Sequence, residues 1–317
     1  MTSIKQLVTI ERICLIGHIA SMAFGLAGLI LIVPNPEFIL SLSEFGQNVF
    51  QMSMANGGVG YIVLGAAAIA LYAYRVLGVR QWLAFMLPTV VISLSSELLG
   101  TSTGFPFGHY QYLSGLGYKI AGLVPFTIPL SWFYLGFSAY LLARAGLENT
   151  RLSPWLRHVG AIALGAILLT AWDLVLDPAM TQTTVPFWQF QEVGEFFGMP
   201  YRNLSGWIGT GAIFMSVAAL LWEKKPLNLQ RSQLLVPLIV YLVNFAFGAV
   251  ITVTSLDAQF LIPTVLGVLV GVIPAIVLWW MAAPNNKNEE MDNSDRISAS
   301  DIESEKLAVA PIEMLVK

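Results

Sequence analysis

Apolar residues fall into eight long blocks along this chain, at 13–33, 57–74, 82–99, 120–143, 156–176, 204–222, 234–253 and 260–283. A membrane-crossing helix needs about 20 mostly apolar residues, and each block is of that order. Transmembrane strands would be about half as long and would alternate in polarity. The pattern therefore predicts an all-α fold, a polytopic membrane helix bundle of about eight spans. Pro88, Pro125, Pro129 and Pro274 lie inside blocks, where they kink a helix and neighbours re-satisfy the freed carbonyls. No internal repeat is visible, so the pattern does not suggest a transporter's inverted symmetry. The first block is too long for a signal-peptide core and no small-x-small site follows it. It is expected to stay as a span.

The polar stretches between the blocks set an orientation. With the N-terminus inside, the inner segments carry Lys5 and Arg12, then Arg75 and Arg80, then Arg144, Arg151 and Arg157, then Lys224, Lys225 and Arg231. The outer segments hold only Lys119 and Arg202. Loops rich in Lys and Arg stay cytoplasmic, so both termini are expected inside. Tyr72, Tyr74, Trp82, Trp155, Trp222, Trp279 and Trp280 cluster near block ends, the place of interfacial anchors.

Composition agrees: 56% of the 317 residues are hydrophobic and 11% charged, about half the charged share of a soluble domain. One cysteine, Cys14, rules out an intramolecular disulfide and a cysteine-based metal site. Three histidines, His18, His109 and His158, are too few for the His-rich di-iron centres of membrane hydroxylases. Residues 1–283 are expected to form the transmembrane domain. Residues 284–317, rich in Asn, Ser and Glu, read as a disordered acidic cytoplasmic tail.

Three carboxylates break the apolar pattern near the outer ends of blocks. Glu97 closes the third block and leads into Gly100-Thr101-Ser102-Thr103-Gly104-Phe105-Pro106-Phe107-Gly108-His109-Tyr110. Asp173 and Asp177 close the fifth; four apart, they share one helix face. A carboxylate in the membrane costs roughly 2.5–3.5 kcal/mol on insertion scales, so Asp173 is expected to face protein or a wet cavity. Asp177, before Pro178, also reads as a cap for the next segment. Arg202, just before the sixth block, is placed to pair with one of the two. One outer pocket is thus expected to hold Glu97, His109, Asp173, Asp177 and Arg202. Its walls would be Phe105, Phe107, Tyr110, Trp172, Phe187, Trp188, Tyr201, Asn203 and Trp207. The carboxyls could move protons, and the rings could hold a long apolar molecule and stabilise a cation. The chain has no P-loop, HExxH or GxSxG. Gly267 and Gly271 read as a packing notch.

Residues 97–112, the run Gly117-Tyr118-Lys119-Ile120-Ala121-Gly122-Leu123-Val124-Pro125-Phe126, and residues 172–180 and 197–207 resemble the CruF-type carotenoid hydratases. That family includes cyanobacterial γ-carotene 1'-hydroxylase and haloarchaeal bisanhydrobacterioruberin hydratase. The resemblance covers roughly residues 55–250 and is closest to the cyanobacterial branch, which serves myxol glycoside formation. It implies addition of water to the 1',2' double bond of an acyclic ψ-end group, γ-carotene- or lycopene-like, to give a tertiary 1'-hydroxyl. No cofactor is implied. It also implies a carotenoid substrate, a bacterial plasma membrane or other internal membrane, and a carotenoid glycosyltransferase acting downstream. The residue roles come from the chemistry of the side chains instead. Asp173 or Glu97 is the candidate acid, neutral beforehand, a state an apolar pocket favours. Asp177 or His109 would orient water, and Arg202 would hold one carboxylate ionised. Two other readings stay open: a carotenoid-binding protein without activity, and a cyclase that quenches the same cation internally. The DxxxD spacing of Asp173 and Asp177 also fits a prenyltransferase, ranked below these because few basic partners accompany it.

Overall fold

The computed structural model describes residues 3–222 and 227–285. The expected tail from 286 onward, with Lys224 and Lys225, lies outside the described residues. In chain order the elements are α1 (Ile4–Ala27), extended by a π-helical turn (Gly28–Ile32), α2 (Pro36–Ser41), α3 (Glu44–Leu77) and α4 (Val79–Thr103). Short strands β1 (Tyr110–Tyr112), β2 (Lys119–Ile120) and β3 (Val124–Pro125) precede α5 (Thr127–Glu148) and α6 (Pro154–Thr181). Then come β4 (Trp188–Phe190), α7 (Tyr201–Leu221), α8 (Leu235–Ser255), α9 (Leu261–Gly267) and α10 (Ile273–Met281). Among the described residues, seven helical segments are long and apolar enough to cross a membrane. The protein is an all-α integral membrane bundle.

The eighth long helix, α5, is the centre of that bundle. Apart from Leu130, every residue from Thr127 to Leu147 is buried. Helices α3, α4, α6, α8 and α10 pack around it. Enclosure by protein rather than lipid explains its composition, because Ser131, Tyr134, Ser138 and Arg144 then find polar partners. Tyr134 Oη donates to Asn244 Oδ1 at 2.9 Å. Asn244 Nδ2 lies 3.0 Å from His18 Nε2, and His18 Nδ1 lies 2.7 Å from the Tyr61 carbonyl. A carbonyl only accepts, so His18 is the Nδ1–H tautomer and takes the Asn244 hydrogen on Nε2. This buried chain ties α1, α3, α5 and α8 together. The His18 ring lies against Gly65, where a Cβ would come within 2.8 Å of Nδ1.

Several bounds differ from the apolar blocks, each for a local reason. The fourth block starts as strands, and its helix begins at Thr127. Pro125 biases Val124 toward extended backbone, and Val124 pairs with Ile120. Helix α3 begins at Glu44, not 57, because Ser43 caps it through Gly46 N and the polar turns after it stay helical. Helix α4 runs past Glu97 to Thr103, with Thr101 and Thr103 returning their hydroxyls to backbone carbonyls. Gly104, at φ 78°, ends it. Asp177 is no cap: α6 carries Pro178 within it and continues to Thr181. The eighth block is interrupted by a π-helical turn, Val268–Val272, just before Pro274, a usual accommodation of proline in a helix. Gly267 and Gly271 are packing notches, their faces against Phe245, Tyr241 and Ala171.

Candidate active site

Three hydrogen-bond donors converge on Glu97. Trp132 Nε1 reaches Oε1 at 2.9 Å, and Tyr112 Oη reaches Oε2 at 2.8 Å. Tyr110 Oη donates to the same oxygen. The alternation of β1 puts both tyrosines on one face, and Lys119 Nζ holds the strand through the Tyr112 carbonyl at 2.6 Å. Glu97 is 4% exposed. A buried carboxyl without partners is costly, whereas hydrogen bonds to a charged group contribute roughly 1.5–3 kcal/mol each. Burial, with the Glu97 carboxyl beside them, pushes both phenols well above the ordinary tyrosine range, so they serve as donors at any working pH.

A second carboxyl group site faces Glu97. Asp173 and Asp177 lie one turn apart on α6, 0% and 3% exposed. Asn203, in the first turn of α7, donates one amide to both, at 2.8 Å to Asp173 Oδ2 and 2.5 Å to Asp177 Oδ2. Trp188 Nε1 donates to Asp177 Oδ1 at 2.8 Å. Asp173 Oδ1 is buried without a hydrogen-bond partner. The pairing of β1 with β4, Tyr110 opposite Phe190 and Tyr112 opposite Trp188, clips the two loops that carry these donors.

Between the two acidic groups lies a small space of about 40 Å³, onto which Glu97, Asp177, Asn203, Tyr110, Tyr112 and Ser131 open. One water needs about 10–15 Å³ by this measure, so the chamber has room for a few waters. Its walls are indoles. Trp132 and Trp207 stack with centroids 4.1 Å apart, and Trp172 meets Trp207 edge to face at 5.8 Å. Phe107 also lines it, wedged between α4 and α7: a Cβ at Gly100 would lie 2.8 Å from its ring, and one at Gly206 2.5 Å. Only glycine fits those two places.

The structure thus brings together Glu97, Asp173, Asp177, Phe107, Tyr110, Trp172, Trp188, Asn203 and Trp207. It leaves the other sequence candidates out. His109 is exposed, its ring against Gly104. Arg202 is exposed, and among the described residues no ion pair joins it to Asp173 or Asp177. Asn203, its neighbour, turns inward and serves both carboxyls instead. Phe105 and Tyr201 are 66% and 59% exposed. Trp132, Tyr112 and Ser131 were missed. Tyr112 had a signal in its two-residue spacing from Tyr110; Trp132 had none, since a lone Trp in an apolar block reads as an interfacial anchor. Among the described residues, no three His, Cys, Asp or Glu gather as a metal site.

Fold and site define a polytopic membrane protein with a small acidic, aromatic-walled chamber inside its helix bundle. Residues 57–274 match the model of the family described as carotenoid biosynthesis protein, and the chain belongs to that family. It is similar to the bisanhydrobacterioruberin hydratase of Haloarcula japonica, with 33% identity over 189 residues, 60% of this chain and 54% of that protein. The chain therefore spans about half the length of that relative. No solved structure matches.

Proposed function

We propose that this protein is a carotenoid hydratase, which adds water to the terminal 1',2' double bond of an acyclic ψ-end group, as in γ-carotene or lycopene. The observation that carries this reading is the water-sized chamber with carboxyl groups on two sides and indole faces between. Acid-catalysed hydration needs one neutral acid, one base and a sheltered cation. The Asp173–Asp177 pair is the donor. Asp177, which lines the chamber, carries and delivers the proton, and Asp173, buried one turn away on the same helix face, disfavours a second negative charge beside it. The proton goes to the less substituted alkene carbon, and the π electrons form the new C–H bond. The tertiary cation left at the other carbon faces the Trp132, Trp172 and Trp207 rings. A water oxygen bonds to that carbon, and Glu97, held as a carboxylate by its three donors, takes the proton released. That proton returns to the aspartate pair through chamber water, so the net change is alkene plus water to tertiary alcohol. The new hydroxyl is an acceptor suited to a later glycosyl transfer.

The test is pigment analysis in a bacterial host that accumulates γ-carotene or lycopene, with and without this chain. The expected pigment is heavier by one water, unchanged in chromophore spectrum, and carries its oxygen from labelled water. A mass-neutral ring product would replace this reading with the cyclase. Bound but unaltered pigment would replace it with a carotenoid-binding role.

A further inference from the structure

The chamber is far too small for a whole polyene, so the bulk of an elongated substrate has to lie elsewhere. Beside it runs an apolar groove of about 750 Å³ between the second half of α1, α2 and the first half of α3, with Phe247 of α8 on one side. That volume falls among pockets that take sizeable ligands, about 300–1,000 Å³. Glycines 28, 57 and 60 line it, and a Cβ built at any of the three would meet nothing within 4 Å. At these positions the missing side chain leaves open space; no neighbour demands the glycine.

Groove and chamber share a partition, and three elements each give one residue to either side. At β4, Phe187 lines the groove and its neighbour Trp188 the chamber. On α6, Met180 lines the groove and Leu176 the chamber. Tyr112, the last residue of β1, lines the chamber, and Leu116, in the loop after it, the groove. We propose that the groove is the berth of the substrate's polyene chain, whose terminal isoprene unit passes between Leu116, Met180 and Phe187 to meet Asp177 and Glu97. The proposal rests on the hydratase reading for the identity of its occupant. Two observations choose that occupant: the chamber lies directly across that partition, and the lining is almost wholly apolar, with exposed Phe24, Leu31 and Phe38 open toward lipid, where a carotenoid resides.

The test fills the groove from the open glycines. Gly57→Phe, Gly60→Phe and the double variant are made in the active chain and again with Glu97→Gln, so that any bound pigment is substrate. Ile16→Phe, on a lipid-facing part of α1 outside the groove and 66% exposed, is the control. Bound pigment per purified protein, product fraction and melting temperature in detergent are measured for each. The double variant is expected to lose bound pigment and product at least ten-fold at an unchanged melting temperature, with Ile16→Phe losing neither. Wild-type product and pigment in the double variant would overturn the berth and leave the hydratase reading intact. Co-purified acyl lipid in place of pigment in the unfilled Glu97→Gln protein would also overturn it. Pigment binding that depends on the glycines, with no hydrated product from the active chain, would uphold the berth and refute the hydratase.

Discussion

Trp132 on α5 lies flat against Trp207 on α7, planes 20° apart, while its indole N–H holds Glu97. One side chain thus sets both the aromatic face and the carboxylate that the proposed hydration uses. A cation over a desolvated indole gains about 2 kcal/mol, or roughly 30-fold in rate. Trp207→Leu is expected to slow hydration by about that factor, and Trp207→Phe by less, measured as product formed per unit of membrane protein. Equal rates in all three would remove the indole from the chemistry.

Glu97→Gln keeps a side chain of the same shape but removes the proposed base. Turnover should fall by about 10²–10⁴ at normal membrane levels. Tyr110→Phe and Tyr112→Phe each remove one donor and should cost roughly ten-fold. A Glu97→Gln protein that hydrates at the wild-type rate would move the base elsewhere.

Asn203 is the shared donor of the aspartate pair. Asn203→Leu strips a hydrogen bond from both carboxyls, with a stability loss of about 2–4 kcal/mol and loss of turnover. Thermal unfolding in detergent and pigment analysis read the two effects separately. A variant as stable and active as wild type would show that the bridge does not matter.

Arg202→Ala and His109→Ala should leave turnover within about two-fold, because both side chains sit outside the chamber. A ten-fold loss in either would bring the outer loops into the reaction.

His18→Leu breaks the chain from Tyr61 to Asn244 far from the reacting groups. Leaving the Tyr61 carbonyl and one Asn244 hydrogen buried costs about 1–3 kcal/mol. The expected result is a lower melting temperature with unchanged turnover per folded molecule. Lost turnover at an unchanged melting temperature would contradict this structural role.

The helical bundle was readable because about 20 consecutive apolar residues have few other fates. The three carboxylates were readable because a charge in lipid needs a reason. Arg202 misled for the same kind of reason: a lone outer cation invites pairing with nearby acid. One position decides it, since in the first turn of α7 Asn203 points inward and Arg202 outward. Trp132 was invisible because only the tertiary packing of α5 beside α4 and α7 distinguishes a buried indole from a belt residue. The extension of α3 to Glu44 was hidden by its polar turns, which hydropathy reads as loop.

The burial of α5 has a consequence for how the chain is made. A segment carrying Arg144, two tyrosines and two serines is a reluctant guest in lipid, and it is comfortable only once neighbours surround it. Its stable entry therefore waits on α6, α8 and α10, all synthesised after it. The carboxylate on α4 and the aspartates on α6 are brought face to face late, when the last helices close around the middle one. Truncations that remove those last helices should cost the protein its central span before they cost it its chemistry.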